Sequence, residues 1–130
     1  TDVLKKAEAG IYKKDKIMDD MDTLIISKYF KKMDPEVYQI IDDVKKRVVF
    51  KKFNLKSDIF SITYDIIFCR NVVIYFDDET KNMIYQKFYT AMNENGYFLV
   101  GPTEGIMNDE RFKYISPGVY VKNVPKGNEP

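Results

Sequence analysis

Stretches with helical spacing of apolar residues alternate along this chain with short apolar runs of strand type. Val3, Leu4 and Ala7 recur at helical spacing, and Gly10 stands where a left-handed residue commonly ends a helix. Over 19–32, Met21, Leu24, Ile25, Lys28 and Tyr29 follow the i, i+3, i+4 rule, so the spacing predicts a second helix, with Pro35 breaking the pattern. Two β-branched and aromatic runs, 37–41 and 47–53, flank the charged residues 42–46 and predict a β-hairpin with a polar tip. Asn54 and Leu55 end its second strand. The stretch 64–76 holds an apolar run over 66–69, the polar pair Arg70-Asn71, a second run over 72–74 and then Tyr75-Phe76. Buried apolar runs bounded by polar residues predict a strand covered on both faces. Asp77 is placed to cap a helix whose apolar face is Ile84, Phe88, Ala91 and Met92, ending at Asn95-Gly96. A short buried strand over 97–100 follows, and 112–115 with 119–122 predict an antiparallel hairpin around Ser116-Pro117-Gly118.

The order helix, helix, hairpin, strand, helix, strand, hairpin is that of an α/β chain. A strand–helix–strand crossover implies a parallel pair, and the terminal hairpin adds an antiparallel edge. On pattern alone, the second half of a methyltransferase-like doubly wound sheet and a receiver-like α/β domain both fit. In such open sheets ligands bind just past the carboxyl ends of the strands. Arg70, Asn71 and Tyr75 therefore stand where chemistry is expected.

Composition narrows the function. A chain of 130 residues is one domain's worth, and 45% hydrophobic with 32% charged residues is ordinary globular usage. A net charge of +1 makes no case for nucleic acid or a membrane surface as partner. No apolar run approaches the ~20 residues of a membrane span, so no membrane insertion is expected. Cys69 is the single cysteine and cannot form an internal disulfide, which makes a cytoplasmic setting the default. Histidine is absent, which removes Ser-His-Asp and Cys-His nucleophile systems and zinc sites with His ligands.

Each singled-out residue also has a plainer reading. Arg70 could cap a strand end by pairing with Asp65, Asp77 or Asp78. Asn71 could be a turn former, and Tyr75 a core aromatic with a satisfied hydroxyl. Cys69 reads as a small buried hydrophobe. Asp77-Asp78-Glu79 suit a helix N-terminus better than a metal, so no metal site is expected.

Taken together, Phe68-Cys69-Arg70-Asn71-Val72-Val73-Ile74-Tyr75-Phe76 resembles the signature of CheR-type chemotaxis receptor methyltransferases, which are S-adenosylmethionine-dependent protein-glutamate O-methyltransferases. Ala9-Gly10-Ile11-Tyr12, Tyr29-Phe30, Val48-Val49-Phe50 with Asn54-Leu55, Asn95-Gly96-Tyr97-Phe98-Leu99-Val100-Gly101 and Val119-Tyr120 resemble family segments in the expected order. The resemblance covers nearly the whole chain.

It implies the C-terminal portion of a Rossmann-like methyltransferase sheet, mostly parallel with an antiparallel terminal hairpin, plus a small β-hairpin subdomain at 37–53. The whole of 1–130 would then be a partial catalytic domain. Asn54, Leu55, Arg70 and Asn71 would line the site of S-adenosyl-L-methionine, with S-adenosyl-L-homocysteine as product. Tyr75 would face the transferred methyl group and the substrate carboxylate. The implied partner is the cytoplasmic region of a chemoreceptor. In some members the subdomain docks a receptor's C-terminal peptide; here the region between Phe30 and Asn54 contains no glycine and resembles the shorter variant, which argues against tail docking.

Two departures stand out. Gly101-Pro102-Thr103-Glu104 replaces the commoner Gly-His-Ser-Glu, and the glycine-rich first motif and the ribose-binding acid are not among these residues. The chain alone is accordingly expected to be an incomplete, inactive piece of the catalytic domain, with surfaces that favour self-association. The competing reading is a non-catalytic, methyltransferase-derived binding module in chemotaxis signalling.

Overall fold

The computed structural model describes residues 2–106 and 108–125. Two compact units are present, Thr1–Phe53 and Asn54–Pro130.

In the first unit, helix α1 (Asp2–Ala9) ends at Gly10, whose φ of 62° is the left-handed conformation that glycine adopts without strain. The chain then forms β1 (Ile11–Lys13), α2 (Lys14–Met18) and α3 (Thr23–Tyr29). Asp22 sets the start of α3 by accepting the Leu24 N–H at 2.8 Å. The helix expected over 19–32 is therefore shorter at both ends, and Phe30 already opens β2 (Phe30–Asp34).

β3 (Val37–Ile40) is the middle strand of an antiparallel sheet ordered β1-β3-β2. The hairpin expected over 37–53 is not the pairing found. Val37–Ile40 pairs with Ile11–Lys13 on one side and Phe30–Asp34 on the other. Its two edges are thus already satisfied before the chain reaches residue 47. Asp42 and Asp43 favour a helix N-terminus, and 42–45 form the short α4 (Asp42–Lys45). Residues 48–54 carry no strand, and Val48, Val49 and Phe50 are exposed.

The second unit is a four-stranded sheet ordered β4-β5-β7-β6. β4 (Tyr64–Phe68) and β5 (Met92–Leu99) run parallel, joined by helix α5 (Asp78–Thr90). β7 (Val119–Lys122) lies antiparallel to β5, and β6 (Phe112–Ser116) antiparallel to β7. The α/β class, the parallel pair and the antiparallel terminal hairpin are as the sequence predicts. Asp77 caps α5 as expected, accepting the Thr80 N–H at 2.8 Å.

Three details differ. α5 ends at Thr90, and Asn95-Gly96 lie inside β5, in a bulge where Tyr64↔Met92 and Ile66↔Tyr97 are the flanking pairs. Asn95 takes φ 64° there, and a Cβ on Gly96 would stand 2.7 Å from the Asn93 carbonyl oxygen. The second apolar run is not strand but a 3-10 helix, Val73–Tyr75. Finally, β4 is covered on one face only. Ile67 pairs beside Phe98, which packs on Phe88 of α5 with ring centroids 5.3 Å apart. On the other face Ile66, Phe68 and Tyr97 are 53%, 69% and 46% exposed. Among the described residues of this unit α5 is the only α-helix, so the apolar pattern of a two-faced strand meets cover on a single side.

Candidate functional site

β4 and β5 end side by side. Phe68 pairs with Leu99, and the Cys69 N–H donates to the Leu99 carbonyl at 2.9 Å. Past this rung each strand continues into a loop, at the carboxyl end where open α/β sheets bind ligands. Arg70 and Asn71 emerge from β4, and Gly101 to Glu104 from β5.

Asn71 turns the chain sharply, with φ 59°. Asparagine tolerates this region better than most residues but not without cost. The 3-10 helix follows at once, anchored by Val73, which is 4% exposed. Tyr75 at its end is 81% exposed, so it is not a core aromatic. Arg70 is exposed and makes no ion pair or hydrogen bond among the described residues; Asp65, Asp77 and Asp78 are not its partners. The Asn71 carboxamide is likewise free of intramolecular bonds among those residues. A guanidinium, a carboxamide and a phenol are thus left with unused donors within seven residues of the strand end.

Asn54 and Leu55 lie in a turn, not at a strand end. The Asn54 Oδ1 accepts the Lys56 N–H at 2.9 Å, and the Asn54 N–H donates to Asp58 Oδ2 at 2.7 Å. Lys87 of α5 closes the turn: its Nζ donates to the carbonyls of Leu55, Lys56 and Asp58 at 3.0, 3.0 and 2.9 Å. Leu55 packs against the core cluster that contains Cys69 and Val73. The turn and the Arg70-Asn71 loop are therefore footed on one core. Asn54 has its side-chain oxygen engaged and keeps its amide donor.

Glu104 joins the two loops. Its carboxylate accepts the Asn71 N–H at 2.9 and 3.0 Å and the Gly101 N–H at 2.7 Å. The sequence showed Glu104 only as the end of the Gly101-Pro102-Thr103-Glu104 segment, with no role of its own, and gave Lys87 none. The usable signal for the first was a glycine three residues before an acid, directly after a buried strand. Burial first, and then the Glu104 carboxylate, push the Cys69 thiol up to about 11, so it stays protonated and inert. Burial also raises Tyr85, with smaller contributions from Cys69 and Glu104. No cluster of His, Cys, Asp or Glu suited to a metal occurs among the described residues. No described helix is long and apolar enough to cross a membrane.

A parallel pair extended by an antiparallel terminal hairpin, with free polar side chains at its carboxyl end, is consistent with a Rossmann-like methyltransferase sheet. Residues 1–121 match the family described as CheR methyltransferase, SAM binding domain, and the chain belongs to that family. Its cofactor is S-adenosylmethionine. The chain is 39% identical over 123 residues to a chemotaxis protein methyltransferase of Borreliella burgdorferi, covering 93% of this chain and 43% of that protein. It is 31% identical over 138 residues to chemotaxis protein methyltransferase 2 of Vibrio cholerae, covering 99% and 47%. A chemotaxis protein methyltransferase of Listeria innocua is 33% identical over 106 residues, covering 82% and 40%. The chain thus spans less than half the length of these relatives.

The residues present fit one side of such a cofactor. Arg70 and Asn71 offer unengaged donors suited to a carboxylate or another polar end, and Leu55 offers an apolar edge on the same core.

Proposed function

We propose that this chain contributes to S-adenosylmethionine-dependent methylation of glutamate side chains in the cytoplasmic region of chemoreceptors. The observation that carries this reading is the trio of unengaged polar side chains past β4: Arg70, Asn71 and Tyr75, held by a left-handed turn and a 3-10 helix. In this reading Asn54 and Leu55 lie at the cofactor too, carried by the turn that Lys87 closes, with Leu55 packed against the core cluster of Cys69 and Val73.

When bound, S-adenosylmethionine supplies an electrophilic methyl group on a sulfonium sulfur. A surface glutamate, with a pKa near ~4.3, is already ionised at neutral pH, so no general base is needed. The absence of histidine is then no obstacle. What remains for the protein is alignment and exclusion of water. The Tyr75 hydroxyl orients the carboxylate by donating one hydrogen bond. Arg70 and Asn71 hold the polar end of the cofactor, each contact contributing on the order of 1–3 kcal/mol. The three-stranded sheet β1-β3-β2 takes the place proposed for the β-subdomain.

Residues 1–130 supply a single wall of the cofactor site in this reading. The chain by itself is accordingly proposed to bind S-adenosylhomocysteine far more weakly than a whole methyltransferase and to transfer no methyl group. Titration of the labelled chain with S-adenosylhomocysteine, followed by amide NMR, tests this. Shifts confined to residues 54–55 and 70–75 with weak affinity are expected. Micromolar binding would overturn the single-wall reading, and saturable shifts elsewhere would overturn the site. Arg70→Ala lowers the affinity about tenfold, the value of one charge-assisted contact.

A further inference from the structure

The left-handed turn at Asn71 needs something to hold it. Its N–H points away from the β4 ladder and donates to both oxygens of Glu104, at 2.9 and 3.0 Å, across 33 residues of sequence. The same carboxylate accepts the Gly101 N–H at 2.7 Å, and the Glu104 N–H donates back to the Gly101 carbonyl at 2.9 Å. One side chain therefore fastens the loop after β4 to the loop after β5. Glu104 is half-buried, and charge-assisted bonds to backbone N–H groups are among the stronger local contacts.

Gly101 makes the arrangement possible. A Cβ there would stand 2.5 Å from Glu104 Oε2, too close for any real contact. Gly101 has no left-handed φ to demand glycine, so the demand comes from the carboxylate. Asn71, Gly101 and Glu104 form one device in which each residue explains another.

We propose that Glu104 is the positioning residue of the cofactor wall: it fixes the Asn71 turn and, through it, the direction of Arg70 and the start of the helix that carries Tyr75. It touches neither cofactor nor substrate in this scheme and acts through the backbone of Asn71. The inference rests on the function proposed above, because it assigns Glu104 a task in that site.

The test uses the 130-residue chain, with hydrogen exchange and S-adenosylhomocysteine-induced amide shifts measured on each variant. In the unaltered chain the amides of Asn71 and Gly101 are protected together. In Glu104→Ala both lose protection, while the Cys69 amide, bonded to Leu99, keeps its own. S-adenosylhomocysteine affinity falls about tenfold, as expected for a lost charge-assisted clamp. Gly101→Ala gives the same pair of losses without removing the carboxylate. Glu104→Asp, which keeps the charge on a shorter arm, restores part of both. Asn82→Ala, which removes the Oδ1 acceptor of Arg111 Nη2 elsewhere in the fold, lowers the unfolding midpoint and leaves ligand affinity unchanged. If Asn71 keeps its protection in Glu104→Ala, the clamp is wrong whatever the ligand does. If protection is lost but affinity is unchanged, Glu104 does not position the wall. If the unaltered chain shows no ligand shift at residues 70–75, the functional reading fails while the clamp stands.

Discussion

Lys87 carries more of the site than its place on a helix surface suggests. Its ammonium group satisfies three carbonyls of the turn that follows Asn54, all on residues with no helix or strand of their own to serve them. Lys87→Met keeps the stem and removes the donors. It should cost about 1–2 kcal/mol in urea unfolding, the net worth of exposed charge-assisted bonds, and should speed amide exchange at Ser57 and Asp58. Asp77 allows a sharper test through pH. Side-chain and backbone hydrogen bonds from Thr80 hold its carboxyl below the ordinary range. The native state thus binds a proton less readily than the unfolded chain, whose value is near ~3.9. Stability from this cap is complete above that value and is lost as pH falls through the lower, native one. Asp77→Asn retains a capping oxygen without the titration. The stability gap between the two proteins should narrow below about pH 4 and stay constant above it, as thermal melts across that range would show. The Asp109 carboxyl, held down chiefly by hydrogen bonds from the Arg111 side chain, adds loss in the same direction.

At the level of elements, what could be read from the sequence is what local chemistry decides. Gly10 ends α1, Asp77 begins α5, and Ser116-Pro117-Gly118 turns the last hairpin, each through a backbone preference confined to a few residues. The partner of Val37–Ile40 is not local in that sense. The run 47–53 has strand composition, but Ile11–Lys13 and Phe30–Asp34 occupy both edges first. Asn95-Gly96 carries a turn signal that the structure spends on a bulge inside β5. Of the candidate site, Arg70 and Asn71 stand out in the sequence because they interrupt an apolar run, and Tyr75 because it follows the second one. Glu104 does not, because its role depends on two loops meeting. The hairpin yields a prediction of its own. Gly118 sits at φ 77°, and a Cβ there would stand 2.7 Å from the Val100 carbonyl oxygen, while the Val100 N–H donates to the Gly118 carbonyl at 2.9 Å. Gly118→Ala should destabilise the second unit by about 1–3 kcal/mol, read from the urea midpoint, with β6 and β7 amides losing protection first.

For the whole molecule the unresolved demand is the second face of the β4-β5-β7-β6 sheet. In register across it run Ile66, Tyr97 and Val121, then Phe68, Leu99 and Val119. These are residues of a sheet built to be covered, yet Phe68 and Ile66 remain largely in water. β4 is also an edge strand among the described residues, with unpaired backbone groups along one side. A net charge of +1 supplies little repulsion between copies. Apolar area and an open edge on one strand are the combination that drives proteins together. The chain by itself should therefore associate as concentration rises, with an average mass above 15.3 kDa by light scattering. Phe68→Lys should return it to the monomer without loss of folding, because Phe68 is 69% exposed and stands outside the core on Ile84, Phe88 and Phe98. A chain that stays monomeric into the millimolar range would show that the face is tolerated bare. A Phe68→Lys variant that still associates would move the contact to another surface.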